Sequence, residues 1–533
     1  MKRLVSFLWI CSMFFLSCNR LEPTATLLLQ DGRVYTNPAE PPRNLDILIT
    51  GSTISRVGSD LEAPPGCRVL SLHGATVFPG FVDAHAHPAG LGKAMSQLDL
   101  RGVPSLEDLV ERTRRYAQTI DTDHWVVGRG WDQNLWKNPE MPDNRLLSEE
   151  ITDLPVFLER VDGHAALVNQ KALHLAGIDA DTPSPDGGEI LKDQQGIPTG
   201  ILIDRAQELV EMLIPPPTIE DRMDHLRKAM DFYASLGVTS VHDAGVDEVI
   251  LDAYFALARE GKMKVFSNLM LDDNPKLLDS WFQRGPYEDR WLRIKTIKLY
   301  ADGALGSRGA WLHESYKDRP GYMGLMVTPL EHIRTVCEMA SRHNFQVATH
   351  CIGDRAVDEV ITIYADSIKE MDPNPRWRIE HAQVITPEAL PVFQRWMIYA
   401  SMQPYHYVSD RPWAPDRIGD RMDYAYAWNL FLENQIPLCF GSDAPVESPD
   451  PLQGFEASLE GPHRISAAQA LCAYTLTAQS AGRQERLRGR IESGASADIS
   501  VFDHDFVSDP ATVSVARCRL TLANGTITHG GEW

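Results

Sequence analysis

Cysteine is scarce: eight residues in 533, and no two of them form a C-x-x-C pair. That spacing excludes a zinc-finger or dithiol redox motif and a dense disulfide framework, so most of these thiols read as small buried hydrophobes. Basic charge is also in short supply. Lysine and arginine number 51 against 73 acidic residues, for a formal charge of -22. Such a chain is poorly suited to nucleic acid or to an anionic membrane surface as its main partner. Low-complexity tracts and short internal repeats are missing, and apolar runs long enough to span a membrane are missing too. What is present is a globular composition, 43% apolar and 23% charged, on a chain long enough for roughly two to four structural units.

The start of the chain carries a targeting pattern. Lys2 and Arg3 precede an apolar stretch from Leu4 to Leu16, followed by Ser17-Cys18. The stretch is shorter than the roughly 20 residues a bilayer span needs. A small residue and a cysteine directly after it resemble a bacterial lipobox, although Phe15 and Leu16 depart from its commonest form. The expectation is a lipoprotein signal over residues 1–17, lipidation at Cys18, and an exported protein anchored to a bacterial membrane and facing periplasm or cell surface. A plain secretory signal or a membrane anchor fits the same residues.

Both ends of the mature chain are strand-rich. "TATLLLQDGRVYT", "NLDILITGSTISRVGS" and "CRVLSLHGATVFPG" alternate β-prone runs with D-G, T-G and H-G turns, and "SADISVFDHD" and "VARCRLTLANGTITHGG" repeat the style at the C-terminus. Unpaired edges are a liability, so residues 25–76 and 480–533 are expected to pack together as one small discontinuous β-sandwich domain. Between them, residues 77–479 alternate strand and amphipathic helix, the rhythm of a (β/α)8 TIM-like barrel. Thr218 and Asp221 form a capping-box pattern with Gly237 as a stop, and Thr328 with Glu331 are expected to open a second helix that ends near His343. Predicted strands are "VTSVHDAG", "WLRIKTIKLYADG", "FQVATHCIGD", "RWRIEHAQ", "MIYASMQP" and "IPLCFGSDAP". Residues from about 131 to 214 fit this rhythm poorly and read as an insertion over the barrel mouth that shapes a substrate pocket.

Candidate chemistry collects at the C-terminal ends of the predicted strands, the rim that carries function in such barrels. In "VFPGFVDAHAHPAG", His85 and His87 are two apart, so on an extended segment both imidazoles point the same way. Zinc and similar ions accept such nitrogens at about 2.0–2.1 Å, but two nearby surface histidines produce the same pattern. Asp443 in "GSDAP" ends an apolar run, where a carboxylate can bind metal and take a proton from metal-bound water, but by itself it reads first as an Asx-turn or helix cap. His350 and His381 also close predicted strands. Lys295 and Lys298 are three apart and face opposite sides of a strand, so one of them points into the barrel. A desolvated lysine there has a lowered pKa; a buried pair with Asp302 explains the residue as well.

Taken in order, His-x-His, Lys, His, His and Asp at strand tips resemble the amidohydrolase superfamily. "FPGFVDAHAH" and "GSDAP" are similar to its first and last motifs. "GWDQ", "DGHAALVN", "KLYADGALGSR", "THCIGDRAVD" and "RIEHAQ" resemble its amidohydrolase-3 branch, which includes proteins like N-substituted formamide deformylase. The resemblance implies one or two divalent metals, zinc foremost. His85, His87 and Asp443 would hold the more buried ion, His350 and His381 the more exposed one, and a carbamylated Lys298 would bridge them. Lys298, four residues before Asp302, matches the branch pattern better than Lys295.

It further implies hydrolysis of a non-peptide carbon–nitrogen bond of amide, N-formyl or N-acyl type in a small-molecule substrate, by metal-activated water with Asp443 as general base. His164, Arg308 and Trp131 are weaker candidates for substrate contact. An ester or cyclic amide is the alternative bond, and a ligand-binding lipoprotein without turnover is the alternative from another class. The assembly state, homodimer included, stays open at this level.

Overall fold

The computed structural model describes residues 26–120, 124–161, 163–368 and 374–531. The lipoprotein signal and Cys18 lie outside the described residues. Eight parallel strands form the central barrel: β1 (Phe81–Ala86), β2 (Val238–Val246), β3 (Phe266–Leu271), β4 (Leu292–Tyr300), β5 (Gln346–Cys351), β6 (Arg378–His381), β7 (Tyr399–Met402) and β8 (Leu438–Phe440). Their hydrogen-bonded order is their sequence order. The gap between β8 and β1 is spanned just past the strand ends, where Asp443 N donates to His85 O (2.7 Å) and His87 N to Ala444 O (2.8 Å). The (β/α)8 barrel expected from the strand–helix rhythm is the fold. Sequence reading passed over β3, "FSNLML".

Local chemistry sets the elements. Helix α1 (Pro88–Ser96) starts on a proline directly after His87, where the missing N–H costs nothing. Helix α2 (Ile219–Ser235) carries the expected capping box: Asp221 N donates to Thr218 Oγ1 (3.1 Å) and Thr218 N to Asp221 Oδ2 (2.8 Å). It stops before Gly237, whose φ of 84° is a left-handed geometry. The second expected cap is not formed. Helix α3 (Leu330–Arg342) begins with Pro329 at its N-cap and no side-chain cap, which leaves Thr328 one position too early to accept from the first turn.

The N- and C-terminal strands share one eight-stranded sheet. Thr76–Pro79 joins the two ends, pairing parallel with Thr26–Val34 and antiparallel with Ile499–Phe502, so that Val77 lies opposite Val501. The stretch from Val77 to His87 is therefore two strands rather than one. Gly80 separates them and donates its N–H to Asp498 O (2.9 Å). A side chain there would collide with Thr239, so the chain changes sheets at a residue without one. An aromatic cluster seals the small sheet to the barrel: Phe78 stacks on Tyr35 (5.0 Å) and Phe506 (4.7 Å) and meets Phe81 of β1 edge-on.

The insertion is larger than its sequence pattern suggests. A six-stranded sheet runs from Leu98–Asp99 to Pro198–Asp204, so the excursion begins just after α1 instead of near residue 131. The segment Leu106–Ala117 misleads because it is a well-formed amphipathic helix capped by Ser105, indistinguishable locally from a barrel helix. Its apolar residues build cores of their own. Lys228 of α2 reaches Ser96 at the end of α1 (2.8 Å), so exit and return points are adjacent.

Candidate active site

His85 occupies the penultimate position of β1, and His87 follows the strand. The two backbone bonds from the β1 end to the loop after β8 place Asp443 against both. Asp443 Oδ1 lies 3.2 Å from His87 Nε2 and 3.6 Å from His85 Nε2. One ligand atom from each of His85, His87 and Asp443 falls within 4.8 Å of the others, a cluster able to hold a metal ion. Lys298 of β4 is buried, with Nζ 3.2 Å from His85 Nε2 and 4.8 Å from the Tyr300 ring centre. Lys295 turns outward to Asn344 (3.0 Å). Asp302 is not a partner consumed by Lys298: its carboxylate accepts backbone N–H bonds from Trp311, Ile352 and Gly353, tying the loop after β4 to the loop after β5.

His350 of β5 and His381 of β6 complete the group. Their ring centres are 4.5 Å apart, and His381 is 4.9 Å from His85. His381 donates from Nδ1 to Gln403 Oε1 (2.7 Å), which turns Nε2 away from that partner. His350 Nε2 is buried and makes no hydrogen bond among the described residues, with Asp302 Oδ1 3.5 Å away. The backbone is strained at two of these positions: φ is 72° at His381 and 60° at Asp443, each costing on the order of 1–3 kcal/mol for a residue with a side chain.

Beneath the cluster runs a buried charged network. His85 Nδ1 lies 2.5 Å from Glu380 Oε2, and Glu380 Oε1 accepts from Arg378 Nε (2.6 Å) and Nη2 (2.5 Å). Arg378 also donates to His242 Nδ1 (2.7 Å) and to Ala84 O (2.8 Å). A carboxylate on Nδ1 fixes the tautomer that leaves Nε2 as the electron-pair donor, the arrangement that supports metal-ligating histidines. Nearby, Asp83 accepts from the N–H (2.8 Å) and hydroxyl of Ser442, which holds the loop carrying Asp443.

The electrostatics suit cation binding. Burial, reinforced by the Lys298 charge, lowers the pKa of His85 to about 4 and of His350 to about 3, and burial puts His381 well below the usual range. At neutral pH these imidazoles are neutral, the form a metal requires. For His87 burial pulls downward, but the hydrogen bond and charge of Asp443 outweigh it and the pKa is raised. Burial pushes Asp443 up, yet His87, His85 and His381 hold its carboxyl well below the usual carboxylate range. Burial lowers Lys298 to about 8, despite Glu380 and Asp443. The neutral nitrogens of His85, His350 and His381 and one ionised carboxylate fit a borderline divalent ion, and Lys298 loses its proton more readily than a free lysine.

The three weaker candidates stay outside this group. Trp131 is fully buried in the insertion core, where its indole donates to Leu158 O (2.7 Å) and its ring meets Trp136. It packs within the insertion's own apolar cluster. His164 is exposed and paired with Asp204 (2.8 Å), in an open cleft of the insertion with Glu159 and Glu208. Arg308, after β4, pairs with Asp318 (2.6 Å). Sequence reasoning missed Glu380, Arg378 and Gln403. Arg378 and Glu380 stand two apart in a predicted barrel strand, a signal for paired inward charges that the adjacent His381 overshadowed.

Comparison with known proteins bears on the whole chain. A putative amidohydrolase of Bacillus subtilis is 32% identical over 93% of this chain and 98% of its own length. The N-substituted formamide deformylase of Arthrobacter pascens is 25% identical over 94% of this chain and 98% of its own. The crystal structure of an uncharacterized metal-dependent hydrolase from Pyrococcus furiosus superposes with a TM-score of 0.77 at 32% identity, covering 90% of this chain and 99% of that one. The amidohydrolase family model matches residues 68–529, and this chain is a member of the amidohydrolase family.

Proposed function

We propose that this hydrolase is metal-dependent, most fittingly with zinc, and cuts a non-peptide carbon–nitrogen bond of amide, N-formyl or N-acyl type in a small molecule. The observation that carries the reading is the meeting of His85, His87 and Asp443 within 4.8 Å, with Lys298 3.2 Å from His85. His85, His87 and Asp443 would hold one ion; His350 and His381, joined by Lys298 if carbamylated, would hold a second. An ion there supplies Lewis acidity and an acidified water.

The chain's own groups handle the rest. Asp443 takes the proton of the attacking water as the oxygen–carbon bond forms, then returns it to the nitrogen as the carbon–nitrogen bond breaks. Its carboxyl is ionised at neutral pH, the form that can accept a proton. Glu380, through His85, keeps the Nε2 electron pair aimed into the site. The deformylase among the relatives supports the choice of bond. The leader pattern supports export and anchoring to a bacterial membrane through Cys18.

Purified mature protein, stripped with a chelator and reloaded with zinc, is to be screened against N-formyl, N-acyl and ureido compounds. Zinc-restored turnover of one class is expected, with Asp443→Asn at least about 100-fold slower, the usual worth of a general base. Full activity in Asp443→Asn, or in the chelated enzyme, defeats the reading.

A further inference from the structure

Asp443 divides its carboxylate between two sides of the site. Oδ1 faces His87 (3.2 Å) and His85 (3.6 Å), whereas Oδ2 faces His406 Nε2 at 3.9 Å. That distance is too long for a hydrogen bond, so His406 does not brace the carboxylate. Nε2 of His406 is buried and has no hydrogen-bond partner among the described residues. Leaving such an atom unpaired is costly, and an exception to pairing calls for an explanation.

The position of His406 supplies one. It sits on the helix Pro404–Asp410 directly after β7, with its backbone N–H bonded to Gln403 O (3.1 Å). Its ring lies nearly parallel to that of His381, 17° apart at 6.0 Å. Gln403, which starts the same segment, holds His381 Nδ1 (2.7 Å). One short stretch thus orients a candidate metal ligand and, beside it, an unpaired ring nitrogen facing the oxygen of Asp443 that the other two histidines leave open. None of the chemistry assigned above uses this nitrogen.

We propose that His406 is a further catalytic residue, which donates from Nε2–H to the carbonyl oxygen of the substrate. The inference rests on the hydrolytic reading above. As the water oxygen bonds to the carbonyl carbon, the π pair moves onto the carbonyl oxygen and the water proton passes to Asp443. His406 then holds the oxygen that has gained charge. When the carbon–nitrogen bond breaks, the pair returns to rebuild the carbonyl and the nitrogen takes the proton. Removing one such donor lowers kcat by about 10²–10³-fold.

Two variants separate the donor from the ring. His406→Phe keeps a ring to stack on His381 and has no donor; His406→Gln has a donor and no ring. Zinc content and zinc affinity are measured by chelator competition, folding by circular dichroism, and kcat and KM on formanilide, or on the N-formyl or N-acyl compound the wild type turns over fastest. Expected are zinc affinities within about threefold of wild type for both, kcat at least about 100-fold lower in His406→Phe, and partial recovery in His406→Gln. Wild-type kcat in His406→Phe overturns the assignment while leaving the hydrolase reading intact. Zinc loss in both variants overturns it as well, making His406 a metal ligand. A zinc-loaded wild type inactive on every compound overturns the hydrolase reading and this inference together.

Discussion

Glu380 touches no substrate in the proposed chemistry, yet the site depends on it. It is wholly buried, and its two oxygens are divided between Arg378 and His85. Burial alone would favour the neutral acid, but the Arg378 charge, with the hydrogen bond from His85, holds its pKa well below the usual carboxylate range. Glu380→Gln removes the charge and keeps the shape. Zinc affinity is expected to fall by about 10–100-fold, as for other partners that orient a ligating histidine. The metal-free protein should also lose roughly 3–5 kcal/mol, because Arg378 is left as an uncompensated buried charge. Chelator competition and denaturant unfolding read the two effects separately; unchanged zinc affinity would show that His85 needs no such support.

At the scale of elements, the barrel rim and the insertion are distinct constructions. The rim residues come from β1, β4, β5, β6 and the loop after β8, all held by the barrel ladder. The insertion has its own sheet and core, with Trp131 at its centre. Trp131→Ala removes a fully buried indole and leaves Leu158 O without its donor, a change worth about 3–5 kcal/mol. The loss should fall on the insertion. Limited proteolysis ought to find cleavage sites between residues 98 and 204, while zinc stoichiometry stays at the wild-type value. Parallel loss of zinc would mean that the insertion and the rim fold as one unit.

For the whole molecule, the C-terminal segment must close back onto the barrel before the small sheet is complete. Arg376, just ahead of β6, makes a double ion pair with Glu485 (2.6 and 2.7 Å). Burial pushes the Glu485 carboxyl up, but the hydrogen bonds and charge of Arg376 outweigh it and its pKa lies below the usual 4.5. A depressed folded-state pKa means the contribution is present above the unfolded value and fades as pH falls through the folded one. Glu485→Gln should therefore lower the thermal midpoint at pH 7, and the gap from wild type should shrink as pH falls below the usual 4.5. A gap that stays constant over that range would remove Glu485 ionisation as its cause. Among the described residues, no helix is long and apolar enough to cross a membrane.

Much of this architecture was legible in order and type. Strand–helix alternation announced the barrel and the Thr218–Asp221 box marked its helix, because local pattern and backbone period are properties of short segments; strand-tip position offered His85, His87, His350, His381, Asp443 and one of Lys295 and Lys298 as candidates, and the family resemblance gathered them into one set with Lys298. Local pattern could not say that Thr76–Pro79 belongs to the small sheet, that Leu106–Ala117 belongs to the insertion, or that Trp131 faces inward, since each question is settled by which distant surface is available to bury the apolar side. Nor could it pair Glu380 with His85, 295 residues away, or turn His406 towards Asp443. Those contacts exist only once the eight strands have closed and brought their ends to one rim. The chain's residue types determined that a metal-competent set of side chains was present; closure of the barrel decided which nitrogen and which oxygen of each faces the others.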